Sequence, residues 1–460
     1  MGQNMTKGNP IKLIILFTLP MLLGNIFQQF YSMADTFIIS RTIGVNAFAA
    51  VGSTGSISNL IIGLATGLTV GLSVITAQRF GKEDIKGIRK NLAASVIISA
   101  VTAVVLTILA TLFTRQILDF MNTPAALMED AYTYLIVIFA GISATVFFNL
   151  LSNVLRAIGD SRTPLLFLAI ASVLNIVLDY VFILGFGTGV EGAGYATVIS
   201  QVVSSILCLV YIWKRVPVLR IRKTDWKVSK EEITTHLNIG LPMGFQASII
   251  SIGAIAIQIT LNSLGATAVA ATTAAEKING IATMPLVSFG TTMATYTAQN
   301  FGAGKHDRIW DGVQKITRIV VVYSFVAATL LIVFGSRMAK MYIGETDPEI
   351  LGMVQTYFVT NSTFYFVLAL LFIYRNTLQG LGKSTAPTVA GVMELLSRVI
   401  VALALVTPLG YLGVTIANPL AWIGALIPLV ISYYSFKRTT IAGEKKAHTT
   451  KLLQNVEQGI

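Results

Sequence analysis

Charge is what this sequence has least of. Asp, Glu, Lys and Arg together make up 12% of its 460 residues, against about 25% in a soluble domain. Mean hydropathy is +0.74. So little charge cannot cover a water-exposed surface, so the chain reads as an integral membrane protein. Cysteine is nearly missing as well. Cys208 stands alone, which excludes an internal disulfide and a cysteine metal centre. The three histidines show no metal-ligand spacing, so no metal site is expected. "GKST" at 382–385 lacks the preceding glycine of a phosphate-binding loop, which argues against ATP as an energy source. No cofactor is expected, and the chain does not read as an enzyme.

Long apolar runs fill the space that charge leaves. Windows of about 20 residues, the length a helix needs to cross a bilayer, mark about twelve spans. They lie near 12–35, 50–76, 91–113, 132–152, 164–185, 193–213, 237–263, 273–298, 316–335, 354–375, 386–406 and 411–436. The strict alternation of a membrane β-barrel is absent, so the expected fold class is an all-α polytopic membrane protein. The first span is too long for a signal-peptide core, and no small-residue cleavage site follows it. With the N-terminus inside, Lys7, Lys12, Arg79, Lys82, Lys86, Arg89, Lys90, Arg156, Arg162, the 214–230 cluster, Lys305, Arg308, Lys315, Arg318, Arg375, Lys383 and the basic residues after Phe436 fall on the cytoplasmic side. Only Arg41, Arg115, Arg337 and Lys340 fall opposite. This positive-inside bias predicts cytoplasmic termini in a plasma (inner) membrane. It also accounts for the net charge of +12 without nucleic acid.

The chain repeats itself. "LPM" at 19–21 returns at 241–243, "AQRFGKED" at 77–84 returns as "AQNFGAGKHD" at 298–307, and "GDSRTP" at 159–164 returns as "GKSTAP" at 382–387, each after about 222 residues. Six spans per half put both halves in the same orientation, which predicts parallel repeats about an axis along the membrane normal. The expected organisation is an N-lobe at 1–213, a basic cytoplasmic linker at 214–235, a C-lobe at 236–436 and a polar, mobile cytoplasmic tail at 437–460. Two bundles facing a central cavity suit alternating access. Gly63, Gly67 and Gly71, four residues apart, predict a close helix-packing face.

Two six-helix halves also occur in the major facilitator superfamily, but "AQRFGKEDIKGIRK" does not fit that superfamily's loop between spans two and three. The two "AQxFG" loops, the "LRAIGDSRTP" turn and "YSMADTFIIS" at 31–40 instead resemble the multidrug and toxic compound extrusion (MATE) family of the MOP superfamily, in both halves and in order. Asp35 together with "NIVLDYVF" at 175–182 resembles its DinF-like branch. The resemblance implies a secondary active multidrug exporter, conferring antibiotic resistance by antiport of small amphiphilic or cationic compounds against H⁺ or Na⁺.

A carboxylate at the bilayer centre costs roughly 2.5–3.5 kcal/mol on insertion scales, which singles out Asp35 and Asp179. Gln28, Tyr31 and Asp35 share one helix face, as do Asn175 and Asp179. Neither helix carries a basic partner, so burial and a second carboxylate both disfavour ionisation. Such groups can load and release protons, or bind Na⁺ with neighbouring oxygens. The resemblance places a coupling network on Gln28, Tyr31, Asp35, Asn153, Asn175, Asp179 and Thr197, with Asp35, Asn175, Asp179 and Thr197 as the Na⁺ alternative. It also singles out Pro20, where a bend of the first helix is proposed in this branch; an ordinary packing kink is the plainer reading.

The C-lobe equivalents of the two acids fall near Ile257 and Ala402, so coupling is expected in the N-lobe alone. Glu394 and Arg398, one helical turn apart, are expected to neutralise each other. Glu276 is a cavity acid by its position, while Lys277 points elsewhere. Met33, Met243, Phe245, Met284 and Tyr365 are drug-contact candidates, because methionine and aromatic side chains offer adaptable and cation-attracting surfaces. The partners expected are amphiphilic drugs and the lipid bilayer, with the monomer as working unit. The alternative, a lipid-linked precursor flippase of related fold, requires a cationic cavity that the acids argue against. An ion channel lacks any filter-like interruption of a span.

Overall fold

The computed structural model describes residues 3–121, 123–343 and 347–457. Among them the chain is helical throughout, with no strand. The N-lobe comprises α1 (Pro10–Thr42), α2 (Val45–Gly81), α3 (Ile85–Phe120), α4 (Ala125–Ala140), α5 (Ile142–Ala157), α6 (Arg162–Tyr180) and α7 (Val190–Arg215). The C-lobe comprises α8 (Lys230–Asn262), α9 (Ala266–Gly302), α10 (His306–Ile343), α11 (Pro348–Ser362), α12 (Tyr365–Gly380), α13 (Thr385–Ala404), the short α14 (Val406–Leu409) and α15 (Tyr411–Glu457). Nine of these helices are long and apolar enough to cross a membrane. The pairs α4/α5 and α11/α12, each bent by 47°, raise the number to eleven. The twelfth expected span is α9, which is 37 residues long but carries Glu276, Lys277 and many threonines.

The repeat is visible in the breaks. Gly141 ends α4, and Thr363 and Phe364 end α11, so the fourth span of each half is broken at its middle. A Cβ on Gly141 would strike Val198 of α7, so glycine there lets the bend pack. The helix α1 runs unbroken through Pro20, whose missing N–H removes one bond without ending the helix. The expected bend at Pro20 is therefore not a break in this conformation.

The connecting segments carry regular structure. Most of the 214–235 linker is structured: its ends belong to α7 and α8, and between them 3-10 turns at Pro217–Leu219 and Lys223–Trp226 bury Leu219 and Asp225. In the tail α15 continues as helix to Glu457; residues 458–460 lie outside the described residues.

The lobes meet along α2 and α8. The glycine face expected on α2 is the reason. A Cβ on Gly67 would lie 2.9 Å from the Gly244 Cα, and one on Gly71 would lie 2.6 Å from the Gly240 Cα. These helices thus touch backbone to backbone, the geometry that small residues permit. The face joins one lobe to the other rather than helices within a bundle.

The termini-side ends of the lobes are closed by the repeated motif itself. Gln78 Nε2 donates to the Gly380 carbonyl at 2.9 Å, and its counterpart Gln299 Nε2 donates to the Ala157 carbonyl at 2.8 Å. Gly81 sits on the Gln299 backbone and Gly302 on the Gln78 backbone, with no room for a Cβ at either. The segment before α1 lies across this seam. Gln3 N–H donates to Gly159 of the N-lobe (2.9 Å), while Met5, fully buried, donates to Gln299 Oε1 (2.9 Å) of the C-lobe. Asn300 and Arg308 donate to the Met5 carbonyl, and Lys305 donates to the Thr6 carbonyl.

Candidate functional site

Helices α1, α6 and α7 converge in the N-lobe, and α4 closes them from the side. Asp35 is 9% exposed and Asp179 is fully buried, and the two carboxyl groups face each other between α1 and α6. One oxygen of Asp35 and both oxygens of Asp179 are buried without a hydrogen-bond donor, as is Asn175 Oδ1. Among the described residues neither acid has an ion-pair partner. Two facing carboxylates are acceptors only; a proton on either converts it into a donor to the other. The site is therefore short of donors or of a cation by construction. A π-helical turn, Val181–Gly185, begins two residues after Asp179, a distortion frequent at functional sites.

Around the acids, Tyr31 and Thr197 hydroxyls pair at 3.0 Å, and Asn175 Nδ2 donates to the Thr197 hydroxyl at 3.4 Å. Five of the seven network residues expected from the sequence therefore meet: Tyr31, Asp35, Asn175, Asp179 and Thr197. Gln28 and Asn153 do not join them. Gln28 projects into a neighbouring cavity. Asn153 on α5 donates to the Thr69 hydroxyl at 3.3 Å and accepts from Arg156 at 3.3 Å. The helix register of α5 turns it toward α2, which a motif match without neighbours could not reveal. Tyr134 of α4 borders the acid pair and was missed, because nothing in its local sequence marks it.

Beside this cluster lies an N-lobe cavity of about 420 Å³, lined by Gln28, Tyr31, Thr197 and a series of serine, threonine and asparagine side chains. Asn25 and Gln28 also line a 250 Å³ space shared with Thr283 and Met284 of α9. The N-lobe cavity thus adjoins the gap between the lobes, and Met284 sits where a drug-contact residue was expected. Met33 and Phe245 are exposed. Met243 and Tyr365 are not available for contact. Met243 is 4% exposed at the glycine seam, and Tyr365 is fully buried, its hydroxyl donating to Asn279 Oδ1. Both look like cavity residues by type, but hydropathy cannot separate a cavity-facing aromatic from a core one.

In the C-lobe, Glu394 is 3% exposed and bonded to Arg375 of α12, with Arg398 at 3.6 Å as a second cation. Arg375 was expected among cytoplasmic charges and is instead buried inside the lobe at 7% exposure. The i, i+4 pair exists, but the closer contact comes from another helix. Glu276 is exposed on α9 with no ion pair among the described residues. The described residues hold no cluster of metal ligands.

Two repeated helical lobes, a closed seam at one end and a buried acid pair beside a polar cavity are the features of a membrane transporter. The family is equally plain: the MatE family model matches residues 20–181 and again 242–404, one match per lobe, and the chain belongs to the MATE transporters, which are not enzymes. Two curated relatives of Bacillus subtilis (strain 168) are similar. The probable multidrug resistance protein YpnP is 31% identical over 83% of this chain and 85% of its own length. The probable multidrug resistance protein YoeA is 28% identical over 98% of both chains. A solved structure described as the outward-facing conformation of a multidrug resistance MATE family transporter superposes with a TM-score of 0.85, at 26% identity over 96% of this chain and 99% of that one.

Proposed function

We propose that the protein exports amphiphilic, often cationic compounds across the cell membrane by antiport against H⁺ or Na⁺, with Asp35 and Asp179 as the coupling acids. One observation carries this reading: the pair is buried, mutually facing and without a counter-cation. A structural carboxylate in a membrane is paired, as Glu394 is with Arg375 and Arg398; an unpaired one marks an ion or proton path. Loading a proton or Na⁺ from the outer side neutralises the pair. Water or a cationic cargo reaching it from the cavity favours the charged form again. The termini lie on the cytoplasmic side, so the closed seam of the "AQxFG" motifs faces the cytoplasm and the conformation is outward-open. A single chain contains both lobes and all of these groups, so the monomer is the working unit.

The flippase alternative calls for several cations around a diphosphate, and the N-lobe cavity is lined by one, Arg156. The deciding experiment reconstitutes the protein in liposomes and follows efflux of a permanently cationic dye under an imposed pH or Na⁺ gradient. Wild type is expected to respond to one gradient. Asp35→Asn is expected to lose the gradient-driven part, by about 10²-fold or more, the scale at which a lost proton-transfer group is felt. Gradient-driven efflux that persists in Asp35→Asn would remove the acid pair from coupling and leave Glu276 as the next acid to test.

A further inference from the structure

The inner end of the N-lobe cavity holds a charge that the export reading does not use. Arg156 lies on the last turn of α5, and its side chain turns inward to line the cavity. It also lines a small space against Thr291, Thr295 and Ala298 of the other lobe. It therefore sits just inside the closed seam, whose Gln299 bonds to the next residue, Ala157. No carboxylate is within ion-pairing distance of it among the described residues. Asp160, one turn on, accepts instead from the Thr163 N–H (3.0 Å), the Thr163 hydroxyl (2.7 Å) and the Tyr211 hydroxyl (3.2 Å). The one side-chain bond of Arg156 goes to Asn153 Oδ1 at 3.3 Å; its Nε is buried without an acceptor.

A further donor is unspent one turn before Arg156. Ser152 is 2% exposed and lines the cavity, and its hydroxyl has no hydrogen-bond partner. A half-buried guanidinium whose Nε is shut off from water without an anion is costly to keep, and a fork of N–H groups beside a free hydroxyl matches an oxyanion. At the other end of the cavity stand Tyr31 and Thr197, in contact with the acid-pair network. Thr197 and Ser204 both line the cavity from α7, and seven helical residues span about 10 Å.

We propose that Arg156, with Ser152, forms an anion subsite in the N-lobe cavity, which holds a carboxylate or phosphate group carried by the cargo or a free anion of the same chemistry. The cavity then has opposite preferences at its two ends, and its best cargo is an amphiphile carrying both charges. This rests on the export reading above for the cargo's route, though not for its binding.

The test uses rhodamine B, a zwitterion with a free carboxylate, and its ethyl ester, a cation of nearly the same shape. Binding of each to the purified full chain in lipid nanodiscs is followed by fluorescence polarisation. Arg156→Gln is expected to lower the acid-to-ester affinity ratio about tenfold, with Arg156→Lys recovering part of it. If acetate instead strengthens ester binding in wild type and does so no longer in Arg156→Gln, the anion at the subsite is a free one. An unchanged ratio with no acetate effect overturns the subsite, and so does an equal loss of both dyes, which marks a structural role. Wild-type efflux of the ester under a gradient is read in parallel. Its failure would sink the export reading while a shifted ratio still upheld the subsite.

Discussion

Replacing Arg375 with methionine is expected to destabilise the protein by about 3–5 kcal/mol, the range seen when one partner of a buried ion pair is removed. Glu394 is nearly inaccessible, and Arg375 is its close partner. Arg398 cannot simply take over. Its Nη2 stands 3.6 Å from the carboxylate, and its Nη1 already reaches the Ile250 carbonyl at 3.4 Å. Gly253 packs on the same side chain, where a Cβ would come within 3.1 Å of it, so Arg398 has little freedom to move. The measurement is thermal unfolding in detergent. Glu394→Gln added to Arg375→Met should recover part of the loss, because the uncompensated charge is then gone. A wild-type midpoint for Arg375→Met alone would contradict the triad as a structural element of the C-lobe.

The second large effect concerns the seam. Gly81→Val or Gly302→Val places a side chain where the opposite lobe's backbone runs, against Gln299 or Gln78 respectively. No rotamer avoids a clash with backbone, so the seam ends of the two lobes must part. The expected result is a protein that folds, since each glycine meets the other lobe rather than its own, but that no longer rests closed. A cysteine placed at Thr295, in the small space behind the seam, reports the change in a Cys208→Ser background. Its labelling by a membrane-impermeant maleimide from the cytoplasmic side should rise at least about tenfold, the effect of a 1.4 kcal/mol shift in the closing equilibrium. Gradient-driven export should fall with it. Unchanged labelling in both valine variants would show that the seam is not what closes this side.

Much of this architecture is legible in the sequence, for physical reasons that differ element by element. The repeat and the span count follow from apolar length and from motifs such as "AQRFG" and "AQNFG", which stay alike because each must fit the other across the seam. Asp35 and Asp179 stand out because a carboxylate among apolar neighbours is rare. Their meeting with Tyr31, Asn175 and Thr197 was readable from shared helix faces and from resemblance. Other features needed coordinates. Arg156 and Arg375 look like ordinary interfacial cations beside a turn, and only rotation about their helices shows that both point inward. Met243 and Tyr365 have the composition of a drug surface and the position of a core. Asn153 faces Thr69 of α2 in this structure, because its motif fixes the turn that follows it and not the direction of its side chain. The tail's polar composition gave no secondary structure, and α15 carries helix through it to Glu457.

The strap formed by residues 3–8 bears on how the chain is assembled. It is synthesised ahead of every helix, yet its partners Gln299, Asn300, Lys305 and Arg308 emerge only after most of the chain is in the membrane. This segment, which precedes every helix, is therefore among the last to dock, and its docking reports that both lobes have arrived. A bulky tag fused close to Gln3 would delay that final step, whereas the same tag after Glu457 would leave it untouched.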